Sequence, residues 1–143
     1  MDIDRSDSAG YMTNWAARLF ARAIDRRLKP FGIASGQLPV FFALGAGGAL
    51  TQKALADIAS IEQPTMAATL ARMERDGLIS RRADPKDGRS ALVALTPAAF
   101  DKARQVRAAV DEVNAIALAP LDPAERDAFR RMLSRVVEAL GKA

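Results

Sequence analysis

Between Leu78 and Thr96 the helical hydrophobic repeat that governs most of this chain gives way to a different pattern. Two short runs, LISRRA and ALVALT, flank the loop DPKDGRS. Such runs, closed on a charged loop with Pro and Gly, read as a β-hairpin. Asp87-Gly88 predicts a type I′ turn, because both central residues of that turn need positive φ. Asp84-Pro85 is a second turn signal. A single hairpin among helices limits the chain to mainly helical folds that carry a small sheet.

The segments around the hairpin are helical by period. From about 8 to 29, Met12, Trp15, Ala16, Leu19, Phe20, Ala23, Ile24 and Leu28 recur at three- and four-residue steps, with Arg18, Arg22 and Arg26 on another face. Pro30 and Gly32 stop this helix. A second is expected from about 36 to 45, with Ser35 as its N-cap and GAGG ending it. A third follows a Thr51 cap and buries Leu55, Ile58 and Ala59. After the turn SIEQ, Pro64 takes the first position of a fourth helix, where a missing N–H costs nothing. Met66, Leu70 and Met73 form its inner side, and Gly77 supplies a left-handed C-terminal cap. Thr96-Pro97 opens a fifth helix reaching about 118, with Ala99, Ala103, Val106, Val110, Val113 and Ala117 as its apolar set. Asp122 and Glu125 open a sixth, whose stripe is Phe129, Met132, Leu133, Val136, Val137 and Leu140.

Composition removes several classes of function. The chain has no cysteine and no histidine, so disulfides, thiolate chemistry, the commonest metal ligand and the usual general base are missing. Most carboxylates sit beside Lys or Arg, as in AERDAFRR, and read as surface ion pairs. No enzyme, metal or cofactor is expected. No run of eighteen apolar residues exists, and the start MDIDRSDS is polar and acidic, so a soluble cytoplasmic protein without a membrane partner is expected. The formal net charge of +4 is compatible with nucleic acid, but the placement of the charges says more.

That placement points to residues 51–95. Two short helices joined by a tight turn fit a helix-turn-helix, and a hairpin directly after them makes a winged helix. The second helix has a dry side at Met66, Leu70 and Met73. Its first turns carry Gln63, Thr65 and Thr69, which can reach base edges or phosphates, and Arg72 lies on the same side.

The stretch TQKALADIASIEQPTMAATLARMERDGLISRRADPKDGRSALVALT resembles the MarR family of bacterial transcription regulators. The family's hairpin pattern is Asp-x-Arg-Asp-x-Arg, then a hydrophobic strand, then Leu-Thr. Here it reads Asp84-Pro85-Lys86-Asp87-Gly88-Arg89, then SALVA, then Leu95-Thr96. "EQPT" and "LARMERDGLI" also look like family features. Lys86 departs from the usual arginine, keeping the charge but losing the planar fork. Ala99 stands where a glycine often follows Leu-Thr, which implies a more regular fifth helix.

The resemblance implies one MarR-like domain over 1–143: a winged helix-turn-helix lobe at 34–96, with 8–33 and 97–143 as a helical dimerisation region. It implies a homodimer that binds a pseudo-palindromic site in double-stranded DNA, with repression as the sign of regulation. The implied reading-helix contacts are Gln63, Pro64, Thr65, Thr69 and Arg72. At the hairpin they are Lys86 and Arg89, the latter oriented by Asp87 and reaching the minor groove. Ser35, Gln52 and Lys53 would meet the DNA backbone. Leu19, Val113, Ile116, Leu118, Phe129, Leu133, Val136, Val137 and Leu140 would form the dimer contact. Family members often release DNA on binding a small aromatic or phenolic molecule, and Tyr11, Trp15, Arg18, Phe41 and Phe42 are the candidates to line such a pocket. The competing reading is a winged-helix module for protein–protein or RNA contacts without operator binding, since fold alone does not decide function.

Overall fold

The structure is a computed structural model covering residues 1–143. It has seven α-helices and three short strands. In chain order these are α1 (Ala9–Leu28), α2 (Leu38–Leu44), β1 (Leu50–Thr51), α3 (Gln52–Ala59), α4 (Gln63–Arg75), β2 (Ile79–Asp84), β3 (Asp87–Leu95), α5 (Pro97–Asp101), α6 (Ala103–Leu118) and α7 (Pro123–Gly141). No helix is long and apolar enough to cross a membrane.

Two compact units emerge, Met1–Val110 and Asp111–Ala143, with α6 running through the boundary. The first unit contains the helix-turn-helix and the sheet. Its core is built from Leu28, Val40, Leu44, Leu55, Met66, Leu70, Met73, Leu78 and Val93, all almost fully buried. These come from four helices, from Leu78 just beyond α4 and from β3, so α4 is anchored by three large side chains along one side. The sheet is antiparallel in the order β1-β3-β2. Leu50 pairs with Val93 and Thr51 with Leu92 on one side of β3. On the other side Ile79 faces Leu95 and Arg81 faces Val93. The second unit comprises the end of α6 and all of α7. Asp122 and Glu125 form a reciprocal capping box, with Oδ1 of Asp122 accepting from the Glu125 amide at 2.9 Å and Oε1 of Glu125 accepting from the Asp122 amide at 3.0 Å. Arg126 Nε donates to the Leu118 carbonyl at 3.0 Å and closes the corner between α6 and α7. No residue of α7 is buried.

Local chemistry accounts for the helix ends that the sequence marks. Ser8 caps α1, Thr51 caps α3 and Thr96 caps α5, each side chain accepting a backbone amide three residues on. The end of α4 closes as a Schellman motif: the Leu78 amide reaches the Met73 carbonyl at 2.8 Å and the Gly77 amide reaches Glu74 at 3.1 Å. Gly77 has φ 74°, which glycine adopts without a Cβ penalty. The turn between α3 and α4 uses the same bonding, Ile61 to Ala56 and Ser60 to Asp57, but its left-handed residue is Ser60 at φ 54°.

Several expectations are corrected. Ser35 does not cap the second helix; it lies inside a single 3₁₀ turn, Ser35–Gln37, and its amide donates to Asp25 Oδ1 at 2.7 Å. An α1 carboxylate thus takes the capping role. Gln63, not Pro64, opens α4, so proline sits one position in, still among the amides without intrahelical partners. Ile58 is exposed, because the buried side of α3 is set by Leu55 and Ala56, and Ile58 lies about 200° round a 3.6-residue helix from Ala56. The fifth helix is not continuous. It breaks at Lys102, whose amide bonds back to Ala99 and whose Nζ donates to the Phe31 carbonyl at 2.8 Å. A more regular helix at Ala99 is therefore not what this chain forms; Ala99 is fully buried in the short α5. Strand β1 has no counterpart in the expected element order.

Candidate nucleic-acid interface

The hairpin loop is built differently from the Asp-Gly turn. β2 ends at Asp84 and β3 begins at Asp87, so Pro85 and Lys86 form the two-residue turn. Proline fixes φ near −65° and suits the first central position. Lys86 has no positive φ, and neither does Gly88. A type I′ turn at Asp87-Gly88 is therefore excluded; proline one step earlier decides the turn. The Asp84 carboxylate accepts the Lys86 amide at 2.9 Å and holds the loop.

Beyond the turn the ladder is irregular. Ala83 pairs with Ala91, and the next residue, Asp84, pairs with Asp87. Gly88, Arg89 and Ser90 are left over on β3 as a bulge, which re-aims side chains. Arg89 projects from this bulge with its side chain 94% exposed. Oδ1 of Asp87 accepts both the Arg89 amide, at 3.0 Å, and its Nε, at 3.3 Å. One carboxylate oxygen thus fixes the backbone and restrains the guanidinium. At this exposure the ion pair is worth about 0–1 kcal/mol, so it orients Arg89 without holding it back from a stronger anion.

On α4, Gln63, Pro64, Thr65 and Arg72 are exposed and Thr69 is half-buried, while Met66, Leu70 and Met73 are buried. Arg72 also borders a cleft of about 360 Å³ with Asp25, Lys29, Gln37 and Asp76. Of the backbone candidates, Lys53 is exposed and pairs with Asp57 at 3.4 Å one turn on; Gln52 and Ser35 are half-buried. A link missing from the sequence reading joins the hairpin to the helix before it: Arg81 on β2 pairs with Glu74 on α4 at 3.4 Å. Nothing local marks that pair, since it depends on where β2 crosses the helix.

The aromatic candidates do not assemble as a group. Phe41 is buried in the core while Phe42, next to it, is 71% exposed, so the two face different surroundings. Tyr11 and Trp15 do meet, edge to face, with ring centroids 6.4 Å apart. Arg5, which the sequence reading did not single out, places its guanidinium 4.3 Å from the centre of the Trp15 ring. Arg18 is exposed. Of the dimer candidates, Val113 is only 4% exposed within the single chain and acts as a core residue. Leu118 and Leu133 are half-buried, whereas Leu19, Ile116, Phe129, Val136, Val137 and Leu140 are exposed.

Comparisons with known proteins agree with this architecture. The model of the MarR family matches residues 31–90. The uncharacterized HTH-type transcriptional regulator YwoH of Bacillus subtilis is 31% identical over 85% of this chain and 88% of its own length. Among solved structures, a MarR transcriptional regulator from Methanosarcina mazei superposes with a TM-score of 0.86, at 26% identity, over 93% of this chain and 96% of that one. The Staphylococcus aureus MepR–DNA complex shares the fold, with a TM-score of 0.82 at 24% identity, covering 93% of this chain and 98% of that one.

Proposed function

This chain belongs to the MarR family of transcriptional regulators, and from that membership we propose that it is a homodimeric repressor of a pseudo-palindromic operator, released by a small aromatic or phenolic ligand. The observation that carries the reading is the bulge at Gly88–Ser90, which presents Arg89 almost fully exposed beside a helix with one dry and one polar side. MepR, which shares the fold, has been solved bound to DNA.

In this reading each α4 enters a major groove, with Gln63, Thr65 and Thr69 at base edges or nearby phosphates and Pro64 at the helix start. Arg72, Lys53, Gln52 and Ser35 meet the backbone. Arg89 enters the adjacent minor groove, where narrow A·T-rich segments concentrate negative potential. Lys86 adds a point charge to phosphate. The Arg81–Glu74 pair holds the hairpin to α4, so the two contacts act as one unit. Two-fold symmetry then sets half-sites about one helical turn, roughly 34–36 Å, apart.

The dimer reading rests on apolar surface. Phe129, Met132, Val136, Val137 and Leu140 line α7 in exposed positions, and Leu19 does the same on α1. On α7 the spacing puts these side chains on one face, and an exposed apolar face of this kind marks an interaction surface. Ligand release requires a molecule that binds the DNA-free state more tightly than the DNA-bound one. Trp15 and Tyr11 offer an aromatic surface with Arg5 and Arg18 as cations for it.

The test is to titrate a labelled duplex, taken from DNA upstream of the protein's own coding sequence, at low salt and to determine the mass of the complex. Two chains per duplex is the expected result. No shift at low salt would overturn operator binding in favour of a winged-helix interaction module.

A further inference from the structure

The first two turns of α4 carry no cation. From Glu62 the sequence runs EQPTMAATLA, and the first positive side chain is Arg72. The one charge at the end that enters the groove is negative. Glu62 stands immediately before α4 and is exposed, and its side chain makes no capping hydrogen bond. Ser, Thr, Asp and Asn are the residues that cap well there; a glutamate that leaves the amides alone is not serving the helix in that way. Glu62 itself has ψ 143°, outside the helical range, so its side chain is not confined to the face of Met66 four residues on, and it is exposed immediately before the exposed Gln63.

A carboxylate in this place has few acceptable partners on DNA. Phosphates repel it, and so do the N7 and O6 of guanine, the O4 of thymine and the N7 of adenine. Two exocyclic amino groups donate in the major groove; adenine's N6 sits beside its own N7 acceptor, whereas cytosine presents only its N4 donor, and Glu or Asp accepts from it. The neighbouring Gln63 is exposed and has the donor and acceptor that match N7 and N6 of adenine.

We propose that Glu62 reads a cytosine amino group in each operator half-site, beside an adenine read by Gln63. The half-site is then specified by a carboxylate and an amide at the start of α4 and not through arginine–guanine pairs. Glu62 also discriminates by repulsion, since it lowers affinity for every duplex that lacks the cytosine. This inference rests on the DNA-binding reading above.

The test uses the full chain and Glu62→Ala. Wild type selects duplexes from a random pool; both proteins are then titrated against the best duplex, its single-base variants and an unrelated duplex of the same length, at one salt concentration. The expected result has opposite signs. Glu62→Ala binds the unrelated duplex more tightly, binds the selected duplex more weakly, and loses about five- to a hundredfold of discrimination at one symmetry-related pair of cytosines. If both affinities rise together, Glu62 is only a repelling charge and the proposal is overturned. If both fall together with a lower melting temperature, Glu62 serves the helix and the proposal is likewise overturned. Failure of wild type to select any duplex would remove the DNA-binding reading itself, a result distinct from the other two.

Discussion

Thr96 joins the hairpin to α5 and touches the cap that ends α4, so removing its hydroxyl tests how the candidate site is held. Its Oγ1 donates to the Gly77 carbonyl at 2.6 Å and accepts from the Ala99 amide at 3.2 Å, while its own amide donates to the Leu78 carbonyl at 3.0 Å. Thr96→Val keeps the shape and the backbone bond and removes both hydroxyl bonds. Loss of the N-cap costs about 1 kcal/mol. The Gly77 carbonyl loses a donor at a solvent-accessible position, where water replaces much of it, adding about 0.5 kcal/mol. The expected destabilisation is therefore about 1.5 kcal/mol, a drop of roughly 4–7 °C in melting temperature for a chain of this size. Thr96→Ser keeps both bonds and should lose less than half as much. The assay is denaturant unfolding of all three proteins at one fixed concentration, because the stability of the proposed dimer would depend on concentration. Equal stability of the Val and Ser variants would refute the reasoning, since only the hydroxyl distinguishes them in this argument.

Arg89→Ala should leave the melting temperature within about 1 °C, because its ion pair is solvated and weak. It should also reduce the log–log salt slope of operator binding by about 0.9, which an affinity series in salt would measure. Ser60→Gly should stabilise the chain by about 0.5–1 kcal/mol, since glycine removes the Cβ penalty at φ 54°; a loss of stability on thermal unfolding would contradict that assignment of strain. Val137→Asp changes a side-chain position that is 69% exposed in the single chain, so each chain should still fold. A charge there would sit unpaired in a dimer contact at a cost of several kcal/mol, and light scattering should report monomer at micromolar concentration; an unchanged dimer mass would exclude Val137 from the interface.

The parts of the fold legible in the sequence are those decided within a few residues. Thr51, Thr96, Gly77 and the Asp122–Glu125 box all act on amides or carbonyls close by, so residue type and spacing suffice. The helix-turn-helix followed by a hairpin was readable for the same reason. What was not readable depends on contacts between distant segments or on competition between neighbours. Two residues of β1 show no period, and pairing with Leu92 and Val93 alone makes them a strand. The break at Lys102 is tied to a carbonyl 71 residues earlier. In the hairpin two local signals competed, and Pro85 prevailed over Asp87-Gly88, moving the turn and leaving Arg89 on a bulge. The candidate contacts on α4 and the hairpin were legible as residue types. The Arg81–Glu74 pair and the Arg5–Trp15 stack were not, because each needs the fold to bring its partners together.

Selection from a random duplex pool by the full chain addresses the central claim most directly. If two copies read DNA through α4 and Arg89, the enriched sequences will be inverted repeats with half-site centres about 10–10.5 base pairs apart and A·T-rich pairs where the hairpins meet the minor groove. An enriched motif without dyad symmetry, or no enrichment above the starting pool, would contradict it.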